Sequence, residues 1–371
     1  MRRIILPVIA LIAVVLTACD AFKNDYPPYC TILFPANAEE FDYEAPVKVF
    51  VKVSDVSGVL SHVNIYVNTT LKASFDTGPY EVTLTGEDLP VGSHIIQAEA
   101  VDKNGGSNKN YITILVTDNY ITVAGGSFTQ GRYPEPGTGT LLDRTVHLSP
   151  FRISRYEITN EQFCRFLNDA GCGYDATFNG KVMIWYHQLT KSETYPVTDK
   201  ITFSDGRFKP QNGYEKTPVT AVTWHGANEY CKFYGGTLPT AAQWMFAAQG
   251  GNLTQGFIYS GGNVIEEVSW YSGNATEPKR TGQKKENELG LYDMTGNVSE
   301  WLFDFYGTYT EPVATDPLQP DVYDGNTHFI AGGSYANGPD FMPLSTHPRE
   351  NRAPEVPSLR DGFRIVKPAD R

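Results

Sequence analysis

Cysteine is scarce in this sequence, with five in 371 residues, and none of them forms a CxxC pair. A redox dithiol or a zinc knuckle is therefore not expected. The histidines are His62, His94, His147, His187, His225, His328 and His347, and no two stand in HxH, HxxH or HExxH spacing. Scattered in this way, they read as hydrogen-bonded structural residues rather than as a metal centre. No GxGxxG follows a strand and no P-loop occurs, which removes the common nucleotide-binding signatures. No run of lysine and arginine offsets the formal net charge of −12. Such a chain repels phosphate backbones, and nucleic acid is not an expected partner. Charged residues make up 19% against 41% hydrophobic, an ordinary globular balance that argues against long disorder.

A membrane-spanning run is also missing from the N-terminus. Ile4 to Leu16 is apolar but short of the roughly 20 residues a bilayer needs, and it follows Arg2 and Arg3. It reads as a secretory signal over residues 1–18. Leu16-Thr17-Ala18-Cys19 resembles the lipobox of bacterial lipoproteins. That resemblance implies cleavage before Cys19 and lipid on its thiol, with several acyl chains giving stable anchoring. A plain secretory signal is the alternative. Both readings place the mature protein outside the cytoplasm. The lipobox reading places it in a bacterial cell envelope, on a periplasmic or cell-surface face, with the membrane as its first partner. That context permits disulfides. Cys30 stands alone, Cys164 and Cys231 fall on apolar helix faces, and the spacing leaves a Cys164–Cys172 bridge open.

Residues 19–28 are polar and end in two prolines, as a tether would. From 29 to 118 there are only strand signals. "VKVFVKVSD" (Val47 to Asp55), "HVNIYVN" (His62 to Asn68), "YEVTLTG" (Tyr80 to Gly86), "SHIIQAEAVD" (Ser93 to Asp102) and "NYITILVTD" (Asn110 to Asp118) alternate apolar and polar residues. Turn clusters separate them, which predicts an all-β sandwich. The "VNIYVN", "GPY" and "GSHIIQAEAVDKNG" segments resemble bacterial immunoglobulin-like modules. The resemblance implies a spacer or adhesive module, and no cluster of exposed aromatics is visible to point to carbohydrate.

At Asn119 the texture changes to glycine, aromatics and long loops with a few short helices. Thr159 and Gln162 form a capping box ahead of "NEQFCRFLNDAG", and Thr240 and Gln243 form another ahead of "AAQWMFAAQGG". Thr223 caps "WHGANEYCKFYGG", which stops at Gly235-Gly236.

Six separated motifs follow in order: "VAGGSFTQG", "VHLSPFRISRYEITNEQFCRFLN", "TPVTAVTWHGANEYCKFYGGTLPTAAQWMFAAQGG", "GQKKENELGLYDMTGNVSEWLFD", "FIAGGSYANG" and "HPRENRAP…DGFRIVKP". Together they resemble the formylglycine-generating enzyme, or sulfatase-modifying factor, family across residues 119–371. The resemblance implies an α+β, irregular, C-type-lectin-like fold. It also implies a choice of roles: oxidation of a sulfatase cysteine with copper on two cysteines, nonheme-iron sulfoxide synthesis, or binding without known chemistry.

In the oxidase branch the "GGS" strand leads to two reactive cysteines five residues apart. Counted from Gly332-Gly333-Ser334, those positions here hold Asn337 and Met342. Neither supplies the thiolate that Cu(I) and thiol exchange require, so copper is not expected, and the scattered histidines give no expected iron site. The "LYDMTGNVSEW" segment resembles one that wraps calcium in the family. The match implies the side chains of Asp293 and Glu300 and the backbone carbonyls of Gly296 and Val298 as ligands. Calcium takes such mixed oxygen sets, and Gly296 lets the backbone turn inward. The alternative is that Asp293 and Glu300 cap the turn or pair with arginines. The family's other calcium site lies around "WYSGNATEP", where no acidic ligand set is evident. Trp224, Trp244, Trp301, Tyr292 and Leu238 are expected in the core. Arg349, Arg352 and Arg364 are expected to tie loops to carbonyls, with Arg349 and Arg352 also candidates for a binding groove.

The reading is a lipid-anchored envelope protein, catalytically inert, binding an envelope protein or a glycan. The alternative is an oxidoreductase with altered metal ligands acting on a thiol or peptide.

Overall fold

The computed structural model describes residues 26–43, 45–56, 58–134, 141–186, 197–318, 322–346 and 350–369. Cys19, His187, His347 and Arg349 lie outside the described residues. Contacts divide the chain into two units, with the boundary between Asp118 and Asn119.

The first unit is a β-sandwich. Its strands are β1 (Tyr29–Phe34), β2 (Glu39–Asp42), β3 (Val47–Ser54), β4 (Leu60–Val67), β5 (Thr70–Phe75), β6 (Tyr80–Leu84), β7 (Gly92–Asp102) and β8 (Ser107–Thr117). One sheet runs β1-β3-β6 and the other β2-β8-β7-β4-β5. Strand side chains alternate between faces, so alternating sequence buries one face of each sheet. Val47, Val49 and Val51 of β3 meet Ile65 of β4, Ile96 and Ala98 of β7 and Ile114 of β8 in one core. Cys30 is a free thiol in that core, donating to the Asn108 carbonyl at 3.3 Å.

The second unit is mostly sheet with few helices. It opens with β9 (Tyr120–Val123), β10 (Gly126–Pro134), β11 (Leu141–Leu148) and β12 (Phe151–Ser154), followed by α1 (Asn160–Asp169). Two hairpins come next, β13 (Thr177–Phe178) with β14 (Lys181–Val182) and β15 (Ile201–Ser204) with β16 (Arg207–Pro210). Then come α2 (Trp224–Phe233), α3 (Ala241–Ala248) and the single turn α4 (Ile265–Val268). The chain ends with β17 (Ser299–Thr308), β18 (Val313–Thr315), β19 (Val322–Ala331), β20 (Glu350–Arg352), β21 (Asp361–Gly362) and β22 (Val366–Pro368). These strands form sheets β20-β19-β17-β21, β22-β12-β9 and β10-β11-β18.

The helix ends follow from local chemistry. Thr159 and Thr240 each accept from the backbone of the residue three ahead, and Gln162 and Gln243 return the bond, so both capping boxes form. Thr223 caps α2 through the Gly226 amide at 2.9 Å. Cys164, Cys172 and Cys231 are buried free thiols, so no Cys164–Cys172 bridge exists. Trp244, Trp301 and Leu238 are fully buried. Trp224 and Tyr292 depart from the expected core placement and are only half-buried. Trp224 stacks on His328 at 4.0 Å, and Tyr292 stacks on Tyr156 at 5.2 Å.

Asp304 of β17 is fully buried under the start of α3. Its carboxylate accepts from the Ala241 amide at 2.8 Å and the Tyr309 hydroxyl at 3.1 Å. Burial pushes its pKa up to about 7. An unfolded aspartate releases its proton near 3.9, so between about pH 4 and 7 the folded form holds a proton the unfolded form has lost. Stability should therefore fall as pH rises through that window and level off above it. Asp304→Asn, which keeps an acceptor for Ala241, should flatten this part of the profile in urea titrations run at several pH values. An unchanged slope would contradict the assignment.

Candidate functional site

The segment from Tyr292 to Val298 is a turn that uses three left-handed residues. Asp293 (φ 58°), Gly296 (φ 84°) and Asn297 (φ 58°) all lie there, and Asp, Gly and Asn are the residue types that tolerate it. Gly296 also has no room for a side chain, because a Cβ would collide with the Ser269 hydroxyl and the Trp270 carbonyl. The backbone is pinned by Gly296 N–H to the Gly332 carbonyl (3.0 Å) and Asn297 N–H to the Trp270 carbonyl (2.8 Å). The Asn297 amide donates to Glu157 at 2.6 Å, and the Val298 N–H donates to the other Glu157 oxygen at 3.1 Å.

Glu300 meets Arg364 in a bidentate pair, with Nε and Nη2 each 2.7 Å from a different carboxylate oxygen. The Trp244 indole N–H donates to the same carboxylate at 2.8 Å. Arg364 is fully buried, and its remaining donors reach the carbonyls of Ser154 (3.0 Å), Arg155 (3.4 Å) and Tyr292 (3.0 Å). The pairing with an arginine that the sequence left open for Glu300 is the one found.

Three buried carboxylates, Glu157, Asp293 and Glu300, thus share a site with one guanidinium. Burial, then Asp293 and Glu300, drive the Glu157 pKa well above the usual carboxylate range. Burial likewise pushes Asp293 up to about 6. One Asp293 oxygen accepts from the Gly282 amide at 2.7 Å, while Oδ1 is buried with no hydrogen-bond partner. A hard cation fits this set in charge and in donor type: one uncommitted carboxylate oxygen in a cluster with excess negative charge. Glu300 fits less freely, because both its oxygens already accept from Arg364 or Trp244. Among the described residues, no group of three or more His, Cys, Asp and Glu has metal-holding geometry. Beside "WYSGNATEP", the Tyr271 hydroxyl donates to Glu266 at 2.9 Å, and two lysines pack nearby. Lys284 donates to the Glu266 carbonyl at 2.6 Å and lies 4.0 Å over the Trp270 ring, and Lys285 donates to the Gly261 carbonyl at 3.0 Å.

The Gly332–Met342 stretch is locked. The Asn337 side chain accepts from the Ser334 amide (2.9 Å) and hydroxyl (2.7 Å), and its carbonyl accepts from Ser272 N–H at 3.0 Å. Met342 is fully buried and packs with Ile265 and Tyr271. A Cβ on Gly333 would come within 2.9 Å of its sulfur. Arg352 pairs with the buried Asp361 at 2.6 Å. His328 is buried between Trp224 and Phe305, while His225 lies 3.4 Å from Glu355.

Beside the locked stretch lies a cleft of about 310 Å³ lined by Thr198, Lys200, Tyr214, Glu277, Tyr335 and Leu359, among others. Lys200 sits 3.8 Å over the Tyr214 ring and 3.4 Å from both Asp199 and Glu277. Neither this cleft nor Glu157 was legible beforehand. Glu157 left one trace, the single acid in "FRISRYEIT" ahead of the α1 helix.

Residues 113–369 match the family model described as sulfatase-modifying factor enzyme 1-like domain. This chain belongs to that family. Residues 28–98 match the bacterial Ig domain. A protein named chaperone protein LppX, from Paenibacillus barcinonensis, is 31% identical over 54% of this chain and 76% of its own length. A serine/threonine-protein kinase Pkn1 from Chlamydia trachomatis serovar L2 is 32% identical over 67% of this chain, which spans only 38% of that kinase. A formylglycine-generating enzyme from Thermomonospora curvata is 30% identical over 58% of this chain and 82% of its own length.

Breaking a buried ion pair strands the surviving charge, at a cost of about 3–5 kcal/mol. Glu300→Ala and Arg364→Met should each destabilise the second unit by that order in denaturant titrations. The double variant should lose less than the sum of the two. Strictly additive losses would contradict a coupled pair.

Proposed function

We propose that this chain is a lipid-anchored component of a bacterial cell envelope, held through Cys19, whose second unit binds a partner rather than oxidising a thiol. The observation that carries this reading is the packing of Asn337 and Met342 where the family resemblance puts reactive cysteines. One is an amide tied into its own turn, and the other is a buried thioether. Neither can exchange with a substrate thiol or serve as a thiolate ligand. Burial also raises the thiols of Cys30, Cys164, Cys172 and Cys231, with Cys172 up to about 11, so none is a ready thiolate at neutral pH. The names of the relatives span a chaperone, a kinase and an oxidising enzyme, so the shared scaffold does not fix the chemistry. The cleft beside Tyr335 is of ligand-site size and offers aromatic, hydroxyl and charged groups to an envelope protein or a glycan.

Incubated with copper and a sulfatase-type cysteine peptide, the purified protein is expected to yield no formylglycine by mass spectrometry. Aldehyde product above a no-protein control would favour an oxidoreductase with altered ligands instead. Labelled palmitate should enter the wild-type chain in the bacterium and not Cys19→Ala. Equal labelling of both would remove the anchor.

In the same reading, calcium is held by Asp293 and the carbonyls of Gly296 and Val298, with Glu300 sharing an oxygen. The ion supplies positive charge to a carboxylate cluster that Arg364 alone does not balance. Support comes from the unpartnered Asp293 Oδ1. Calcium at ~100 times its dissociation constant should stabilise the second unit by roughly 2.7 kcal/mol, and Asp293→Ala should lose most of that gain. Identical melts with calcium and with chelator for both proteins would show the turn to be metal-free.

A further inference from the structure

The outer face of the five-stranded sheet in the first unit carries an aromatic row that only strand register reveals. Tyr111 of β8 stands opposite Gln97 of β7, and Gln97 stands opposite Tyr66 of β4, which stands opposite Leu71 of β5. Their strand neighbours Ile112, Ile96, Ala98 and Ile65 point into the core, so this row faces outward. Tyr111 is 55% exposed and Leu71 51%. Two strand spacings separate the tyrosines, about 10 Å.

The next row is Lys109, Glu99, Asn64 and Ser74. It fixes the first. The Tyr66 hydroxyl donates to Glu99 at 3.0 Å and accepts from the Asn64 amide at 3.2 Å. Lys109 pairs with Glu99 at 3.2 Å. Tyr66 is thereby held across the sheet by its diagonal neighbour, its ring position set before any ligand arrives. The one cation and one carboxylate of this patch neutralise each other, leaving amides and hydroxyls as the recognising polar groups. Ile95 and Leu115, 47% and 42% exposed, border the rows, but Thr113 and Ser93 stand opposite them. Polar Gln97, Thr113 and Ser93 thus stand directly across from the exposed apolar side chains in each row.

We propose that this face binds a neutral, β-1,4-linked polysaccharide, with Tyr66 and Tyr111 stacking on two sugar rings and Gln97 contacting the ring between. In the two-fold form of such a chain alternate rings present the same face, so two aromatic platforms separated by two strand spacings meet sugars two apart. Uncharged glycan suits a patch whose own charges are paired. The inference rests on the first unit alone and is independent of the reading given for the second.

The test is native electrophoresis of the whole purified protein in gels containing hydroxyethyl cellulose, β-mannan or xylan. Dextran and polygalacturonate serve as α-linked and acidic comparisons. Retardation is expected in at least one of the first three and in neither comparison. Tyr111→Ala, an exposed substitution that leaves the core intact, should weaken it at least tenfold. Tyr66→Ala should do the same, and Tyr111→Phe should retain it. Four results would overturn the proposal: no retardation in any neutral β-1,4 gel, equal retardation in dextran, retardation only in polygalacturonate, or retardation unchanged in Tyr111→Ala. Tyr111-dependent self-association in sedimentation runs, without polysaccharide binding, would assign the face to a second copy of the chain instead.

Discussion

The second unit depends on one buried ion pair. Arg364 and Glu300 meet out of water, where neither charge would be tolerated alone. What makes the pair stable is the completeness of its surroundings. The guanidinium reaches both Glu300 oxygens and three backbone carbonyls, and Trp244 adds a donor to the carboxylate. From the link between β21 and β22, one side chain thus joins the end of β12, the turn before β17 and β17 itself. A domain of short strands and long loops has few ladder hydrogen bonds to spare, so such a cross-link decides whether the loops hold one arrangement.

That arrangement in turn fixes the stretch where the family resemblance places its chemistry. The Gly296 and Asn297 backbone reaches the Gly332 carbonyl and the Tyr335 amide. Asn337 then closes its own turn on Ser334, and Met342 fills the space beneath two glycines. Asn337 and Met342 thus serve as a turn lock and a core plug. The neighbouring charge imbalance of Glu157, Asp293 and Glu300 remains as a polar feature suited to a hard cation rather than a soft one.

Much of this was legible in the sequence wherever the deciding physics is local. Alternation in β3, β7 and β8 reads directly as one buried face, and the Thr159 and Thr240 capping boxes place α1 and α3. Strands β1 and β5 are less legible, because "YCTILF" and "TLKASF" alternate poorly and lie at sheet edges. The partner of Glu300 could not be read, since Arg364 is 64 residues away. Glu157 joins the cluster from 141 residues before Val298. The tyrosine row was hidden for the same reason. Tyr66 and Tyr111 belong to different motifs and become neighbours only through the register of β7.

Elemental analysis of the purified, unlabelled protein by plasma mass spectrometry tests the account most directly. A protein whose Gly332–Met342 stretch is packed shut and whose Asp293 Oδ1 sits unpartnered in an acidic cluster should carry no stoichiometric copper or iron, before or after incubation with those metals. Calcium, at up to one ion per chain, is the metal expected. Copper or iron bound at one per chain, and lost on substitution of Met342, would contradict it.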